Sequence, residues 1–335
     1  MHLKERLSSK TILVAGDIIL DHYIYGKVYR VSPEAPVPVV LRDKSTYCLG
    51  GSANVAQNIT SFGAKCYLLG VVGEDTSAIE IQNLLSEKDV IPLLFKDPFR
   101  PSTEKTRIIG NGHQIVRIDS EVDSEISEEI SNEVFQLFLS VVEDLDGIIL
   151  QDYGKGLLSR SLVERILEVS KERDIPILTD PKDKDFSKYS GSDWVKPNFL
   201  EFKDSLGIPT NRTLDSLDVL KLMDELKQKY NLSNVLLTLS EKGMIAKSEF
   251  DYESVDGIPI EVTDVSGAGD TVSAVFILLW VNNISLRDCL RISNLAGSIV
   301  CQTSGAIPID INTLFATLHK YSWIVSEKNG ETVLL

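Results

Sequence analysis

Residues 66–85 read CYLLGVVGEDTSAIEIQNLL, an apolar run that stops at a glycine before a helical pattern begins. Strand-favouring residues fill 66–72, and apolar side chains at helical spacing follow over 76–85. Similar short apolar runs lie at 11–15, 147–150, 175–179, 194–195 and 235–239. Continuous apolar strands that alternate with helices indicate a mostly parallel sheet covered on both faces. The pattern therefore predicts an α/β fold that binds ligands at the carboxyl ends of its strands.

Two segments depart from this alternation. Residues 22–47 include Tyr23, Tyr25 and Tyr29 and the proline-spaced run SPEAPVPVV. Residues 103–118 alternate around a Gly110-Asn-Gly112 turn that is typical of a hairpin. We predict that both are β segments inserted into a single domain spanning 1–335. They could pair into a small sheet that acts as a lid over a site, as a dimerisation surface, or as both.

Composition narrows the class of protein. The chain has 335 residues, with 34 basic and 49 acidic side chains and a formal net charge of −15. This balance argues against a nucleic-acid partner but leaves room for anionic small substrates, which need only a local positive site. The four cysteines form no C-x-x-C pair, the apolar run at 274–281 is too short to cross a membrane, and residues 1–10 lack a signal-peptide core. We therefore expect a cytoplasmic protein with reduced thiols and no membrane partner.

The strongest local motif is DVSGAGDT at 264–271, which we expect to follow a strand ending near Val262. The small residues Gly267, Ala268 and Gly269 would let backbone N–H groups approach an anion at a helix N-terminus. Asp270, in the first helical turn, could take a proton from a hydroxyl group beside that anion site. In the structural alternative, the segment is a tight turn and Asp270 only complements the helix dipole.

A second glycine pair lies in the segment Gly50-Gly51-Ser-Ala-Asn54, before another helical pattern. Small residues let the backbone come close to a polyol, and the Asn54 amide can both donate and accept hydrogen bonds. Asp17 and Asp21 follow the first strand, on the side where ligands are expected. Both carboxylates could bind sugar hydroxyls, or each could serve as an ordinary turn or cap residue.

A third motif is Asn198-Phe-Leu-Glu201, directly after Pro197. Its two polar residues share a helix face and could hold water around a magnesium ion, although the same spacing is that of an ordinary capping box. Arg107 and Lys155 could bind a phosphate group or could be surface charges. No histidine pair has metal-ligand spacing.

The order and spacing of the three motifs resemble those of the ribokinase-like (PfkB) family of sugar kinases, across nearly the whole chain. The resemblance implies a three-layer α/β/α core with a small β-sheet lid. It also implies in-line transfer of the ATP γ-phosphoryl group to a sugar hydroxyl. In that reaction Asp270 is the base, and the amides of Gly267, Ala268 and Gly269 stabilise the phosphoryl charge.

The resemblance also implies ligand contacts. It places the sugar ring against Asp17, Asp21, Gly50, Gly51 and Asn54, with Arg107 and Lys155 on a sugar phosphate. It places the nucleotide against Asn198, Phe199, Leu200, Glu201, Thr238, Ser240, Gly243 and Asp264. Ser240 stands where many family members have glycine. Mg²⁺ would be held through water by Asn198 and Glu201, a K⁺ ion could lie beside the 264–270 loop, and the lid sheet would form a homodimer.

Four segments narrow the resemblance within the family: 16–23, 30–39, 105–110 and 151–156. They resemble kinases that phosphorylate the C1 hydroxyl of D-glycero-β-D-manno-heptose 7-phosphate, on the route to ADP-heptose for lipopolysaccharide cores. Some of those kinases carry a fused adenylyltransferase domain with an H-x-G-H motif, which this sequence lacks, so we expect the separate kinase. The alternatives are another acceptor, such as ribose, fructose or a fructose phosphate, and a non-catalytic sugar-binding protein on the same fold.

Overall fold

The computed structural model describes residues 2–248, 251–303, 305–321 and 323–335. The helices in these residues are α1 (Leu3–Ser8), α2 (Ser52–Ser61), α3 (Thr76–Glu87), α4 (Glu128–Leu139), α5 (Arg160–Glu172), α6 (Phe199–Ser205), α7 (Ser216–Tyr230), α8 (Ala268–Trp280), α9 (Leu286–Val300) and α10 (Ile311–Lys320). The strands are β1 (Thr11–Gly16), β2 (Ile18–Val31), β3 (Pro38–Gly51), β4 (Lys65–Val72), β5 (Val90–Lys96), β6 (Glu104–Gly110), β7 (His113–Ser120), β8 (Gly147–Gln151), β9 (Ile177–Asp180), β10 (Trp194–Val195), β11 (Asn234–Thr238), β12 (Met244–Lys247), β13 (Tyr252–Val255), β14 (Val325–Ser326) and β15 (Thr332–Val333).

The main sheet has nine strands within the described residues, in the order β13-β12-β11-β10-β9-β8-β1-β4-β5. The run from β11 to β5 is parallel, and β12 and β13 extend it as an antiparallel edge. Strand β1 is an interior strand between β8 and β4, and its carboxyl end lies at the sheet edge where ligands bind. The predicted mostly parallel α/β sheet is confirmed.

Side chains of β1 point alternately into two apolar layers, because successive residues of a strand face opposite sides of a sheet. Ile12 and Val14 join a cluster that includes buried residues of α2, α8 and α9. Leu13 and Ala15 join a second cluster, with α4, α5 and α7. The sheet therefore lies between two helical layers, as the three-layer prediction requires.

The lid is a separate four-stranded sheet within the described residues, in the order β3-β2-β6-β7. Asn111 and Gly112, with φ of 52° and 85°, form the predicted hairpin turn between β6 and β7. Its strands extend beyond the segments 22–47 and 103–118 named from the sequence, since β2 begins at Ile18. Only Asp17 separates β2 from the interior strand β1, so the first lid strand follows directly from a strand of the main sheet.

One local prediction was wrong. No strand ends near Val262, because β13 ends at Val255 and residues 256–267 have no regular secondary structure. Pro259 lacks the N–H group that a ladder requires, which accounts for part of the difference. The loop before α8 is therefore longer than expected, and part of it becomes a cavity wall.

The thiols and the helix lengths complete the description of the fold. All four cysteines, Cys48, Cys66, Cys289 and Cys301, are free thiols, as expected. Among the described residues, no helix combines the length and apolar character needed to span a bilayer.

Candidate active site

Asp270 lies in the first turn of α8 with only 5% of its surface exposed. Its two carboxylate oxygens accept hydrogen bonds of 2.7 Å, one from the Asn54 amide and one from the Tyr153 hydroxyl. Burial raises the pKa of Asp270 to about 6, and these two hydrogen bonds oppose the rise. The group is thus ionised near neutral pH and can accept a proton.

The turn before Asp270 depends on Gly267. Its φ of 79° lies in the left-handed region, and an added Cβ would come within 2.6 Å of the Asn54 amide nitrogen. This glycine therefore lets α2 and α8 approach closely enough for Asn54 to reach Asp270. The first N–H groups of an α-helix have no intrahelical partner, so the amides of this turn are suited to an anion.

A buried polar network lies behind the carboxylate, at the ends of β8, β9 and β10. The Lys196 ammonium, 3% exposed, lies 2.8 Å from Asp180 Oδ2. Gln151 Nε2 donates to the same Asp180 oxygen at 2.9 Å and to Asp270 Oδ1 at 3.3 Å. Lys196 Nζ would lie 3.7 Å from a Cβ built on Gly269, so its positive charge is beside the helix N-terminus. None of these three residues was among the sites predicted from sequence.

A cavity of about 710 Å³ separates the lid from the 264–266 loop. The lid contributes Tyr23, Tyr25, Lys27 and Arg107 to its lining, and the loop contributes Asp264 and Ser266. We call it the lid cavity. Asp264 was expected at the nucleotide but lines this cavity, where its carboxylate accepts hydrogen bonds from the backbone amides of Ser266 and Gly305, both at 2.9 Å.

Arg107, which lines the lid cavity, forms an ion pair with Asp21. The Arg107 guanidinium donates to the Asp21 carboxylate and packs over the Tyr23 ring, 5.2 Å from its centroid. A side chain at Gly50 would collide with the Asp21 carboxylate. The predicted residues Asp21, Gly50 and Arg107 are therefore in one group.

Asp17 and Lys155 are more fully engaged by the protein. Asp17 accepts hydrogen bonds from the backbone amides of Tyr153 and Lys155, both at 2.9 Å, and of Leu157 at 3.2 Å. The Lys155 ammonium pairs with Glu121 at 2.9 Å and with Asp123 at 2.6 Å. Of the two cations expected at a sugar phosphate, Arg107 lines the lid cavity and Lys155 does not.

A second cavity, of about 670 Å³, lies on the other side of the 264–269 loop. Four of the predicted nucleotide residues line it, together with Ala268 and Gly269: Asn198, Thr238, Ser240 and Gly243. Ser240 adopts a φ of 54°, a left-handed conformation that explains why glycine is common at this position in the resembled family. Apolar side chains, among them Val262, Val265 and Val272, cover much of the wall, as a flat aromatic ligand requires. We call it the apolar cavity.

Phe199 and Leu200 do not line the apolar cavity. Phe199 packs against the core and lies under the Lys203 ammonium, 4.8 Å from the ring centroid. Leu200 is 61% exposed on the surface of α6. Their neighbours Asn198 and Glu201 form a full capping box. Asn198 Oδ1 accepts hydrogen bonds from the backbone N–H groups of Leu200 and Glu201. In return, Glu201 Oε2 accepts one from the backbone N–H of Asn198, at 2.9 Å.

The capping box limits how this motif could hold a metal. Asn198 Oδ1 is occupied by two backbone donors. Within the part of the chain that the structure describes, the one partner of Glu201 Oε1 is the Lys182 ammonium, at 3.8 Å. Burial and the nearby Asp180 charge raise the pKa of Glu201. The described residues contain no cluster of three His, Cys, Asp or Glu side chains able to hold a metal ion. Contact with hydrated magnesium through Glu201 Oε1 fits, since Mg²⁺ keeps several waters.

Residues 9–313 match the family described as pfkB family carbohydrate kinase. The chain belongs to this family. The family membership that the three sequence motifs predicted is confirmed.

Among curated proteins, this pfkB kinase is 38% identical over 299 residues to the bifunctional protein HldE of Helicobacter pylori strain HPAG1, covering 89% of this chain and 64% of the relative. It is 36% identical over 306 residues to HldE of Caulobacter vibrioides, covering 91% of this chain and 62% of the relative. The chain thus spans somewhat less than two thirds of these relatives.

Solved structures confirm the ribokinase-like fold of this pfkB kinase. Arabidopsis thaliana ribokinase complexed with ribose and ATP superposes with a TM-score of 0.72 at 19% identity, covering 92% of this chain and 99% of the ribokinase. Escherichia coli phosphofructokinase-2 in complex with potassium gives a TM-score of 0.75 at 18% identity, covering 94% and 100% of the two chains.

Proposed function

We propose that this pfkB kinase transfers the ATP γ-phosphoryl group to the C1 hydroxyl of D-glycero-β-D-manno-heptose 7-phosphate, giving the 1,7-bisphosphate for ADP-heptose and lipopolysaccharide core synthesis. The observation that carries the proposal is the position of the 264–270 segment. This segment contributes to both cavities and ends at a buried carboxylate. The choice of sugar is supported by the four heptose-kinase-like segments and by the 36–38% identity with HldE proteins.

The proposed chemistry uses the two sides of this segment. The nucleotide would occupy the apolar cavity and direct its γ-phosphoryl group toward the amides of Gly269 and Asp270, while the sugar lies in the lid cavity. Asp270 would accept the proton of the attacking hydroxyl, which contributes about 10²–10⁴ in rate for a general base. Lys196 would place a buried positive charge near the transferring group. When bound with ATP, Mg²⁺ supplies neutralisation of the triphosphate charge, and Glu201 Oε1 would hold one of its waters.

The sugar's phosphate would bind at Arg107. This guanidinium lines the lid cavity and already orients one carboxylate, that of Asp21. The ring hydroxyls would bind near Asp21 and Asn54, and Asp17 would support the site by holding the 153–157 loop. Because ATP supplies the phosphoryl group, we expect the reaction in the cytoplasm.

We also propose that the lid forms a homodimer. Arg107 points into the lid cavity, so its strand neighbours Thr106 and Ile108 point to the other face of the lid. Val116 and Ile118 are opposite these two residues on β7 and are exposed. An exposed apolar face on an insertion of this kind is typical of an interaction surface.

An assay that measures the formation of ADP from ATP tests the sugar assignment. The purified chain is supplied with Mg²⁺-ATP and, in separate reactions, with heptose 7-phosphate, ribose, fructose and fructose 6-phosphate. The proposal expects the heptose phosphate to give the highest kcat/KM. A higher value with ribose or a fructose phosphate would contradict the sugar assignment and leave the kinase assignment standing. Sugar binding with no ADP formed from ATP in the presence of any of the acceptors would contradict both assignments.

A further inference from the structure

We propose that Tyr153 is a positioning residue for the base: its hydroxyl orients the Asp270 carboxylate and keeps it ionised for proton transfer. The inference rests on the proposed function, in which Asp270 accepts the proton. Tyr153 was not among the residues selected from the sequence. It directly follows Gln151-Asp152 at the carboxyl end of β8, where ligand-binding residues of this fold class gather.

Tyr153 contacts Asp270 directly, on the carboxylate oxygen that Asn54 does not contact. The Tyr153 hydroxyl donates to Asp270 Oδ1 and the Asn54 amide donates to Oδ2, both at 2.7 Å. One short hydrogen bond on each oxygen fixes the plane of the carboxylate. Gln151 Nε2 adds only a longer contact of 3.3 Å to Oδ1. Tyr153 is therefore the main donor to that oxygen.

The groups around Asp270 act in opposite directions on its charge. Burial and the Asp180 carboxylate on β9 favour the neutral acid, whereas Asn54 on α2, Tyr153 and the Lys196 ammonium after β10 favour the anion. Burial and the two carboxylates, Asp270 and Asp180, also raise the pKa of the Tyr153 phenol well above its usual value. The phenol therefore remains protonated and keeps its role as a donor throughout the working pH range.

The backbone that carries Tyr153 is held independently of this hydroxyl. Asp17 accepts hydrogen bonds from the amides of Tyr153, Lys155 and Leu157, and Asp152 Oδ1 accepts one from the Gly154 amide at 2.7 Å. Removing the hydroxyl should therefore leave the loop in place. Precise positioning by a rigid support is what a proton acceptor requires.

The sign of the expected pH effect follows from these contacts. The active form of Asp270 is the anion, so activity falls as the pH drops through the pKa of that group. Loss of a donor to the anion raises this pKa. The acid limb of the pH–rate profile of Tyr153→Phe should therefore lie at higher pH than that of the unaltered protein.

The experiment compares kcat from pH 5 to 9 for the unaltered chain, Tyr153→Phe and the control Tyr189→Phe. Tyr189 is a buried tyrosine whose hydroxyl donates to Asp152 and does not contact Asp270. For Tyr153→Phe we expect the acid limb to move up by about one pH unit, with about fivefold lower turnover at pH 6 and almost no loss at pH 8.5. The control should retain the original limb. Titration of the substrates is common to all three proteins and cancels in the comparison.

A second substitution works in the opposite direction and preserves the ring packing. Replacement of Tyr153 by 3-fluorotyrosine makes the phenol a stronger donor, so the acid limb should move to lower pH. This variant also provides the test if Tyr153→Phe does not fold. Superimposable profiles, or a loss that is equal at every pH, would overturn the positioning role.

A third variant separates this inference from the proposed function. If Asp270→Asn retains turnover, Asp270 is not the base and the proposed mechanism is wrong. If Asp270→Asn is inactive while the Tyr153 variants keep the original pH profile, the mechanism stands and only the role of Tyr153 is refuted.

Discussion

Two regions of the molecule differ in how far their side chains are paired within the chain. We call the first, which contains Asp270, Asp180 and Lys196, the core edge, and the second is the lid sheet. At the core edge, Asp270, Asp180 and Lys196 are each held by charged or polar partners of the same chain. On the lid, every residue of β7 is exposed, and β2 changes from buried in its first four residues to exposed in its last three. The core edge is therefore preorganised, whereas the lid presents surfaces that a ligand or a second copy could cover.

The comparison suggests a division of labour. Groups proposed to move protons and charge lie on rigid strand ends and on the first turn of α8, where misplacement would be most costly. Groups proposed to recognise the sugar phosphate lie on the lid, with Arg107 as the central example. Substitutions at the core edge should therefore affect turnover, and substitutions on the lid should affect binding or assembly.

The largest effect is expected at the core edge. Asp270→Asn removes the proposed proton acceptor, so kcat should fall by at least about 10². Steady-state ADP release measures the loss, and circular dichroism should show an unchanged fold. Asp288→Asn is the matched control, because Asp288 is equally buried on α9 and lies outside both cavities. Near-normal turnover of Asp270→Asn would show that the core edge does not control turnover.

A smaller effect, on binding, is expected on the inner face of the lid. Arg107→Ala deletes a charge-assisted contact, so KM for the sugar phosphate should rise by about 10- to 100-fold while KM for ATP stays the same. Arg117→Ala is the control. Arg117 is directly opposite Arg107 in the β6–β7 register but does not line the lid cavity. An unchanged KM for the sugar would show that the phosphate binds elsewhere.

The outer face of the lid is the one that contains Val116 and Ile118, opposite the lid cavity. A substitution there should change the stability of one chain very little but should disrupt the dimer. Ile118→Glu introduces a charge at a residue that is 55% exposed, so the free energy of unfolding of one chain should change by no more than about 0.5 kcal/mol. Light scattering should show a dimer for the unaltered chain and a monomer for this variant. Ile79→Glu, at an isoleucine that is 59% exposed on α3, should remain dimeric. A dimer that survives Ile118→Glu would refute an interface on this face.

Much of the fold could be predicted because its signals are local. Buried parallel strands are continuous apolar runs, and helices such as α3 and α8 begin at residues close to those expected from periodicity. The strand expected near Val262 was wrong because a few β-favouring residues beside Pro259 do not by themselves find a pairing partner. Strand formation depends on neighbours that are distant in the sequence.

The candidate site was only partly predictable for the same reason. The glycine motifs identified Asp270 and Asn54, but their hydrogen bond joins residues 216 positions apart and depends on how α2 packs against α8. Gln151, Tyr153, Asp180 and Lys196 stand at the ends of buried strands, a signal that could have selected them. The sequence could not show which of their side chains point toward Asp270. For Asn198 and Glu201, both interpretations used the same spacing, and the capping box is the one present in the structure.

The position of Asp17 has a mechanical consequence. It is the single residue between β1 and β2, and its carboxylate also holds the loop that carries Tyr153. Asp17 is thus one of the joints between the lid and the core, and a displacement of β2 at this joint would also strain the loop whose phenol contacts Asp270. A sugar that shifts β2 when it binds would therefore also shift the loop that supports the proposed base.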